Sequence, residues 1–129
     1  MDMALNISAL AFRFQGQSAD LFEIGQLAVP AGSMLGIRGG SGSGKTTLLH
    51  CLAGIEPVRS GSVVWGCTDI TQLSPSALTA WRLQNVGVVF QDFHLLEGLS
   101  AIDNVLLPTS FTAWHASTAL RTRAAYLLK

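Results

Sequence analysis

The chain has 129 residues, room for one domain at most, and its eight basic residues balance eight acidic ones, so no electrostatic footprint for nucleic acid exists. Only 12% of residues are charged against 49% hydrophobic, with a mean hydropathy of +0.40, which is low in charge for a domain standing alone. No apolar run approaches the ~18 residues that span a bilayer, and Met1-Asp2-Met3-Ala4 precedes its first apolar residues without a basic stretch, so the chain reads as cytosolic.

Leu5, Ile7 and Ala9, set against Leu10, Phe12 and Phe14, predict an early strand whose exposed side changes along its length. A turn at Gln15-Gly16-Gln17 leads to a second strand from Leu21 to Val29, ended by Pro30-Ala31-Gly32. Ser33-Met34-Leu35-Gly36-Ile37 is short and mostly apolar, the character of a buried parallel strand. Next comes Gly39-Gly40-Ser41-Gly42-Ser43-Gly44-Lys45-Thr46, which fits G-x-x-x-x-G-K-[ST]. Beyond it, Thr47 to Ala53 places Leu48, Leu49 and Leu52 on one helical face, with Gly54 as the stop.

Strand, glycine loop and helix in that order predict a phosphate cradle. Glycines let successive amides turn toward an anion, and the helix adds its free N–H groups and the positive end of its dipole. Lys45 would set a charge near the β and γ phosphates, and the Thr46 hydroxyl would be a hard oxygen ligand for Mg²⁺.

Glu56 to Gly61 forms a turn before the β-branched run Val63-Val64-Trp65. Ser74 as N-cap and Pro75 at the first turn open a helix running to about Gln84. Val86-Gly87-Val88-Val89-Phe90 is a second candidate buried strand, followed by the polar pair Gln91-Asp92, where α/β sheets hold their ligands. Ser100 to Asp103 forms a capping box for a short helix that Pro108 ends. From Thr112 onward, Ala113, Ala116, Leu120, Ala124 and Leu127 recur at helical spacing. Cys51 and Cys67 form no CxxC and read as buried thiols, neither disulfide nor metal ligands. His50, His94 and His115 lack ligand spacing.

Three runs in this order resemble the nucleotide-binding domain of ATP-binding cassette (ABC) transporters. They are residues 39 to 49 (GGSGSGKTTLL), 52 to 61 (LAGIEPVRSG) and 88 to 96 (VVFQDFHLL), with 98 to 108 (GLSAIDNVLLP) adding to the likeness. Within that family the chain is most similar to the lipoprotein-releasing and macrolide-exporter type, from about residue 5 to the end. The resemblance implies an α/β fold: a P-loop NTPase core (a RecA-like sheet with flanking helices) plus an N-terminal antiparallel β subdomain. The whole chain, 1–129, then corresponds to the N-terminal part of the ATP-binding domain, truncated at the start of the helical subdomain.

It further implies ATP and Mg²⁺ as ligands, with Gly39 to Thr47 as the Walker A loop. Gln91 matches the Q-loop glutamine, which touches Mg²⁺ and the attacking water. Phe14 falls where an aromatic stacks on adenine, with Phe12 as the competing candidate. The implied partners are a membrane permease and a second nucleotide-binding domain in a head-to-tail dimer, at the cytoplasmic face of the inner or plasma membrane. The segment from Gln91 to Pro108 would meet the permease, with His94, Leu95 and Leu96 either at that contact or packed internally. The implied activity is ATP binding and hydrolysis coupled to export.

The sequence also departs from the family. It contains no LSGGQ signature, no apolar strand ending in Asp-Glu as Walker B, and no switch histidine. Phosphoryl transfer needs a metal held on both sides, a positioned water and charge stabilisation, so these residues predict ATP binding without turnover by this chain alone. The alternative is a non-catalytic nucleotide-binding remnant that pairs with an intact ATPase subunit. In this fold a Walker B strand lies beside the glycine-loop strand, so its absence predicts an open apolar edge prone to association.

Overall fold

The computed structural model describes residues 3–92, 94–111 and 117–129, which form two compact units, Met1–Val88 and Val89–Lys129. In the first, the alternating residues from Leu5 form β1 (Leu5–Phe12) at the centre of an antiparallel sheet. On one edge it pairs with β2 (Phe22–Val29), Leu5 opposite Val29 and Phe12 opposite Phe22. On the other it pairs with β3 (Ser60–Trp65), Leu5 opposite Trp65 and Ile7 opposite Val63. A hairpin through Gly66-Cys67 leads into the short β4 (Thr68–Asp69), giving the order β2-β1-β3-β4.

The change of exposed side predicted for β1 is a β-bulge. Ala9 takes φ 48 and the pairing with β3 shifts register between Ser8 and Ala11. Before it Leu5 and Ile7 are buried and Asn6 and Ser8 exposed; after it Leu10, Ala11 and Phe12 are all buried. Gly61 faces the bulge at φ 91, with no room for a side chain: a Cβ there would strike the Ala9 carbonyl oxygen and lie 2.6 Å from Leu10 Cα.

The first helix, α1 (Lys45–Leu52), adds Leu52 to a core of Leu5, Ile7, Leu10, Val63 and Ile70. It ends as a Schellman motif: Gly54 sits at φ 66, Ile55 N–H donates to His50 O at 2.8 Å, and Gly54 N–H to Cys51 O at 3.0 Å. Trp65 Nε1 donates to Leu52 O at 2.9 Å, satisfying a further carbonyl at the helix end. α2 (Pro75–Asn85) starts as predicted, with Ser74 Oγ accepting from Ala77 N–H, and Arg82 Nη1 ties it back to Gly54 O at 2.6 Å.

Four expectations are corrected. Leu49 is exposed and the buried residues of α1 are Cys51 and Leu52, because the sheet packs on a face rotated from the Leu48–Leu49–Leu52 arc. Cys67 is exposed, standing in the β3–β4 hairpin, whereas Cys51 is buried as predicted. Neither Ser33–Ile37 nor Val86–Phe90 forms a strand. Met34 is 99% and Val89 92% exposed, and among the described residues no strand pairs with either run. A parallel strand is buried by neighbours on its edges and faces, and apolar content alone does not supply them.

The second unit holds α3 (Ala101–Leu106), a 3-10 turn over Leu107–Phe111 that contains Pro108, and α4 (Thr118–Leu127). Ser100 Oγ accepts from Asp103 N–H at 3.2 Å and donates to Asp103 Oδ2 at 2.6 Å, so the predicted box closes through the hydroxyl. The helix predicted from Thr112 starts at Thr118 behind the N-cap Ser117; Ala113 and Ala116 lie outside the described residues, as does His115. Of the remaining periodic positions Ala124 is buried, while Leu120 and Leu127 are exposed.

Candidate functional site

No side chain caps α1. Its N-cap is Gly44 in the left-handed region at φ 86, and its first turn carries no acidic residue. The leading amides of the helix are therefore free for an anion at the positive end of the dipole. Gly42 at φ 75 is the other left-handed glycine of the loop, and Ser43 N–H reaches Gly40 O at 3.4 Å. Gly39 is close to Ser43: a Cβ on it would lie 2.6 Å from Ser43 Oγ. Around Gly40 and Gly42, by contrast, a Cβ would meet nothing within 4 Å, so that side of the loop is open.

Lys45 Nζ donates to Gly40 O at 2.6 Å and lies 3.5 Å from Ser43 Oγ, which lays the ammonium across the loop. Ser41 and Thr46 are exposed and Thr47 half-buried. Free amides, one ammonium and the exposed hydroxyls of Ser41, Ser43 and Thr46 are groups suited to phosphate oxygens. No group of three or more His, Cys, Asp or Glu that could hold a metal exists among the described residues.

The loop rests on the sheet. A Cβ at Gly44 would lie 2.9 Å from Leu21 Cδ2 and 3.0 Å from Phe22 Cδ1, so the backbone contacts the start of β2 directly. Phe22 stacks on Phe12 with centroids 5.7 Å apart at 18°, and Phe12 meets Phe14 edge-on at 5.0 Å and 89°. Phe12 is 4% exposed and belongs to the core; Phe14 is 45% exposed. Of the two candidate rings only Phe14 presents a surface to a ligand.

Sequence reasoning missed the group that holds the Phe14 loop. Asp20 Oδ1 accepts from Arg13 Nε at 2.9 Å and its Oδ2 from Arg59 Nη2 at 2.8 Å, with the carboxylate side chain 9% exposed. The Arg13 hydrogen bond, partly opposed by burial and aided by a hydrogen bond with Glu23 and by the charges of Arg13 and Arg59, holds the Asp20 carboxyl below its ordinary range. Arg13 and Asp20 flank a glycine turn, a readable signal; Arg59, 39 residues away, gives none. On α1, burial and then the charge of Glu56 push the Cys51 thiol up to about 11.

Gln91 and Asp92 lie in the second unit and are exposed. On either side of them, Phe90 and His94 meet edge-on at 4.9 Å, and His94 takes the rare φ of 50. Leu95 and Leu96 are exposed rather than packed internally. The following loop is organised by Asn104, also unforeseen: its Oδ1 accepts from Leu96 N–H at 2.9 Å, and its Nδ2 reaches the carbonyls of Leu96, Leu99 and Ser100.

The ABC transporter family profile matches residues 23–128. The chain is 45% identical over 102 residues to the uncharacterized ABC transporter ATP-binding protein Rv2564 of Mycobacterium tuberculosis, covering 79% of this chain and 31% of that protein. It is 35% identical over 129 residues to the lipoprotein-releasing system ATP-binding protein LolD of Idiomarina loihiensis, covering 98% of this chain and 56% of that one. To the macrolide export ATP-binding/permease protein MacB of Rhodopirellula baltica it is 40% identical over 87 residues, 67% of this chain and 13% of the other. In three dimensions it is similar to the ATP-binding cassette MJ0796, solved as a dimer in a post-hydrolysis state bound to ADP and Pi. The TM-score is 0.83 at 27% identity, over 95% of this chain and 54% of that one. The matched stretch makes up 31%, 56% and 13% of these three relatives and 54% of the solved cassette, so the chain spans at most a little more than half of any of them.

Proposed function

This chain belongs to the ABC transporter family, and we propose that residues 1–129 are the N-terminal part of an ATP-binding subunit that couples ATP binding and hydrolysis to export. The observation that carries this is the preformed phosphate loop: an uncapped α1, left-handed Gly42 and Gly44, and the Lys45 ammonium lying across the cradle.

In this reading the amides of Gly39 to Thr47 wrap the phosphates, and Lys45 leaves the Gly40 carbonyl to neutralise the β and γ oxygens. Phe14 stacks on adenine. When bound, Mg²⁺ supplies charge neutralisation between the phosphates, with the Thr46 hydroxyl as its ligand from α1. Gln91, in the second unit, matches the family's Q-loop glutamine, and that resemblance assigns it to turnover. Turnover also requires a Walker B carboxylate, a general base and a signature motif, none of which occurs in residues 1–129. This chain alone therefore binds ATP and does not hydrolyse it.

A second nucleotide-binding domain, head-to-tail, and a membrane permease complete the machine at the cytoplasmic face. The described residues contain no helix long and apolar enough to cross a membrane. The exposed Leu95, Leu96 and Leu99 near Gln91 form the surface for the permease. Export as the direction rests on the likeness to a lipoprotein-releasing system and a macrolide exporter.

The test is equilibrium binding of Mg-ATP to the chain beside Lys45→Ala. Loss of a charge-assisted contact, about 1.5–3 kcal/mol, predicts an affinity roughly 10- to 150-fold weaker in the variant. A folded chain that binds no Mg-ATP, or one whose binding is untouched by Lys45→Ala, overturns the proposal.

A further inference from the structure

The loop from Arg13 to Asp20 carries the only exposed ring of the Phe12–Phe14–Phe22 cluster, and its base is closed by Leu21 N–H to Phe12 O at 2.8 Å. Inside it, Gln17 N–H donates to Phe14 O at 3.1 Å. Phe14 packs edge-on against Phe12, and the two arginine side-chain hydrogen bonds at the loop converge on one carboxylate. One oxygen of Asp20 takes Arg13, the residue between Phe12 and Phe14; the other takes Arg59, from the turn before β3. The Arg59 backbone is itself anchored, its N–H donating to Ala11 O at 2.9 Å. Asp20 thereby ties the Phe14 loop across β1 to the turn before β3, while Leu21, the next residue, contacts the Gly44 backbone at the mouth of the phosphate loop.

We propose that Asp20 is a positioning residue for the nucleotide base: by clamping Arg13 and Arg59 it fixes the Phe14 ring relative to the phosphate cradle. This rests on the ATP-binding reading above. The clamp touches neither phosphate nor base. Its effect is on the fraction of time the loop holds Phe14 in the stacking position, and a ligand's apparent affinity falls in proportion to that fraction.

The consequence separates two parts of one ligand. Mg-tripolyphosphate uses the glycine loop and Lys45 and has no base, whereas Mg-ATP uses both the loop and Phe14. Equilibrium binding of each to the full chain is measured for wild type, Phe14→Ala, Asp20→Asn, Arg59→Gln and Phe14→Ala/Asp20→Asn. If releasing the loop leaves it competent about a tenth to a fifth of the time, Asp20→Asn binds Mg-ATP roughly 5- to 10-fold more weakly. Its affinity for Mg-tripolyphosphate stays within about twofold of wild type, which also reports that the phosphate loop is folded. Arg59→Gln shows the same selective loss in smaller measure. The double variant is no worse than Phe14→Ala, because the clamp acts only through the ring.

Equal loss of both ligands in Asp20→Asn and Arg59→Gln makes the clamp a general fold support and overturns the proposal. Unchanged Mg-ATP affinity in Asp20→Asn while Phe14→Ala weakens it overturns the proposal and leaves the ATP-binding reading standing. A folded wild-type chain that binds neither ligand defeats that reading itself.

Discussion

Replacing Gly61 with alanine tests the central joint of the sheet. Gly61 lies on β3 opposite the β1 bulge, at φ 91, where an added Cβ would strike the Ala9 carbonyl oxygen and lie 2.6 Å from Leu10 Cα. Two costs follow. Holding alanine at this φ costs about 1–3 kcal/mol. Making room costs about another 1–3 kcal/mol as overpacking, toward the upper end because the obstacles are backbone atoms that cannot rotate aside. The sum, about 3–6 kcal/mol, is a large share of the ~5–15 kcal/mol that typically holds a domain. Gly25, in β2, is the control: its φ is not in the left-handed region and a Cβ there meets nothing within 4 Å, so Gly25→Ala changes stability by less than about 1 kcal/mol, in the stabilising direction. Urea melts followed by circular dichroism read both. A Gly61→Ala chain within about 1 kcal/mol of wild type would refute the close approach of β3 to the bulge and the register drawn from it.

The two cysteines provide a chemical check. With Cys51 buried and its thiol raised to about 11, only about one molecule in a thousand carries the thiolate at pH 8, so iodoacetamide should alkylate Cys67 alone under native conditions and both residues in urea. Peptide mass spectrometry distinguishes the outcomes, and native labelling of Cys51 counts against the packing of α1. The acid limb reports on Asp20. Its folded pKa lies below the ordinary 3.8, so its share of stability is present above that value and is lost as pH falls through the folded pKa. The melting temperature should decline below about pH 4, and Asp20→Asn should decline less steeply over that range.

Much of the first unit was legible because the signals were local. The alternation in β1, the breakers at Gly16 and Pro30, the Ser74-Pro75 start and the glycine stop at Gly54 each act within a few residues. The glycine loop was legible for the same reason, its glycines being conformational requirements read directly from the chain. What failed was non-local. Ser33–Ile37 and Val86–Phe90 have the composition of buried strands, but a ladder needs a neighbour, and among the described residues neither run has one. Periodicity put Leu49 on the apolar face of α1, yet which arc is buried was decided by where the sheet lies. Asp20 and Asn104 were invisible because their roles depend on partners brought up by folding, Arg59 above all.

The two ends of the proposed nucleotide site have a common foundation. Gly44, at the phosphate end, lies against Leu21 and Phe22; Phe14, at the base end, lies edge-on to Phe12, which stacks on Phe22. Phe12 and Phe22 are opposed residues of β1 and β2, so one cross-strand pair carries both contacts. The proposed phosphate cradle and base platform are thus both seated on the antiparallel hairpin. The proposed phosphate and base contacts therefore all lie in the first unit. Gln91 belongs to the second unit, and the role the resemblance implies for it bears on turnover rather than on these contacts. On the proposed reading, binding and hydrolysis separate: the hairpin, α1 and their loop would carry recognition of ATP, while phosphoryl transfer also calls on groups that residues 1–129 do not include.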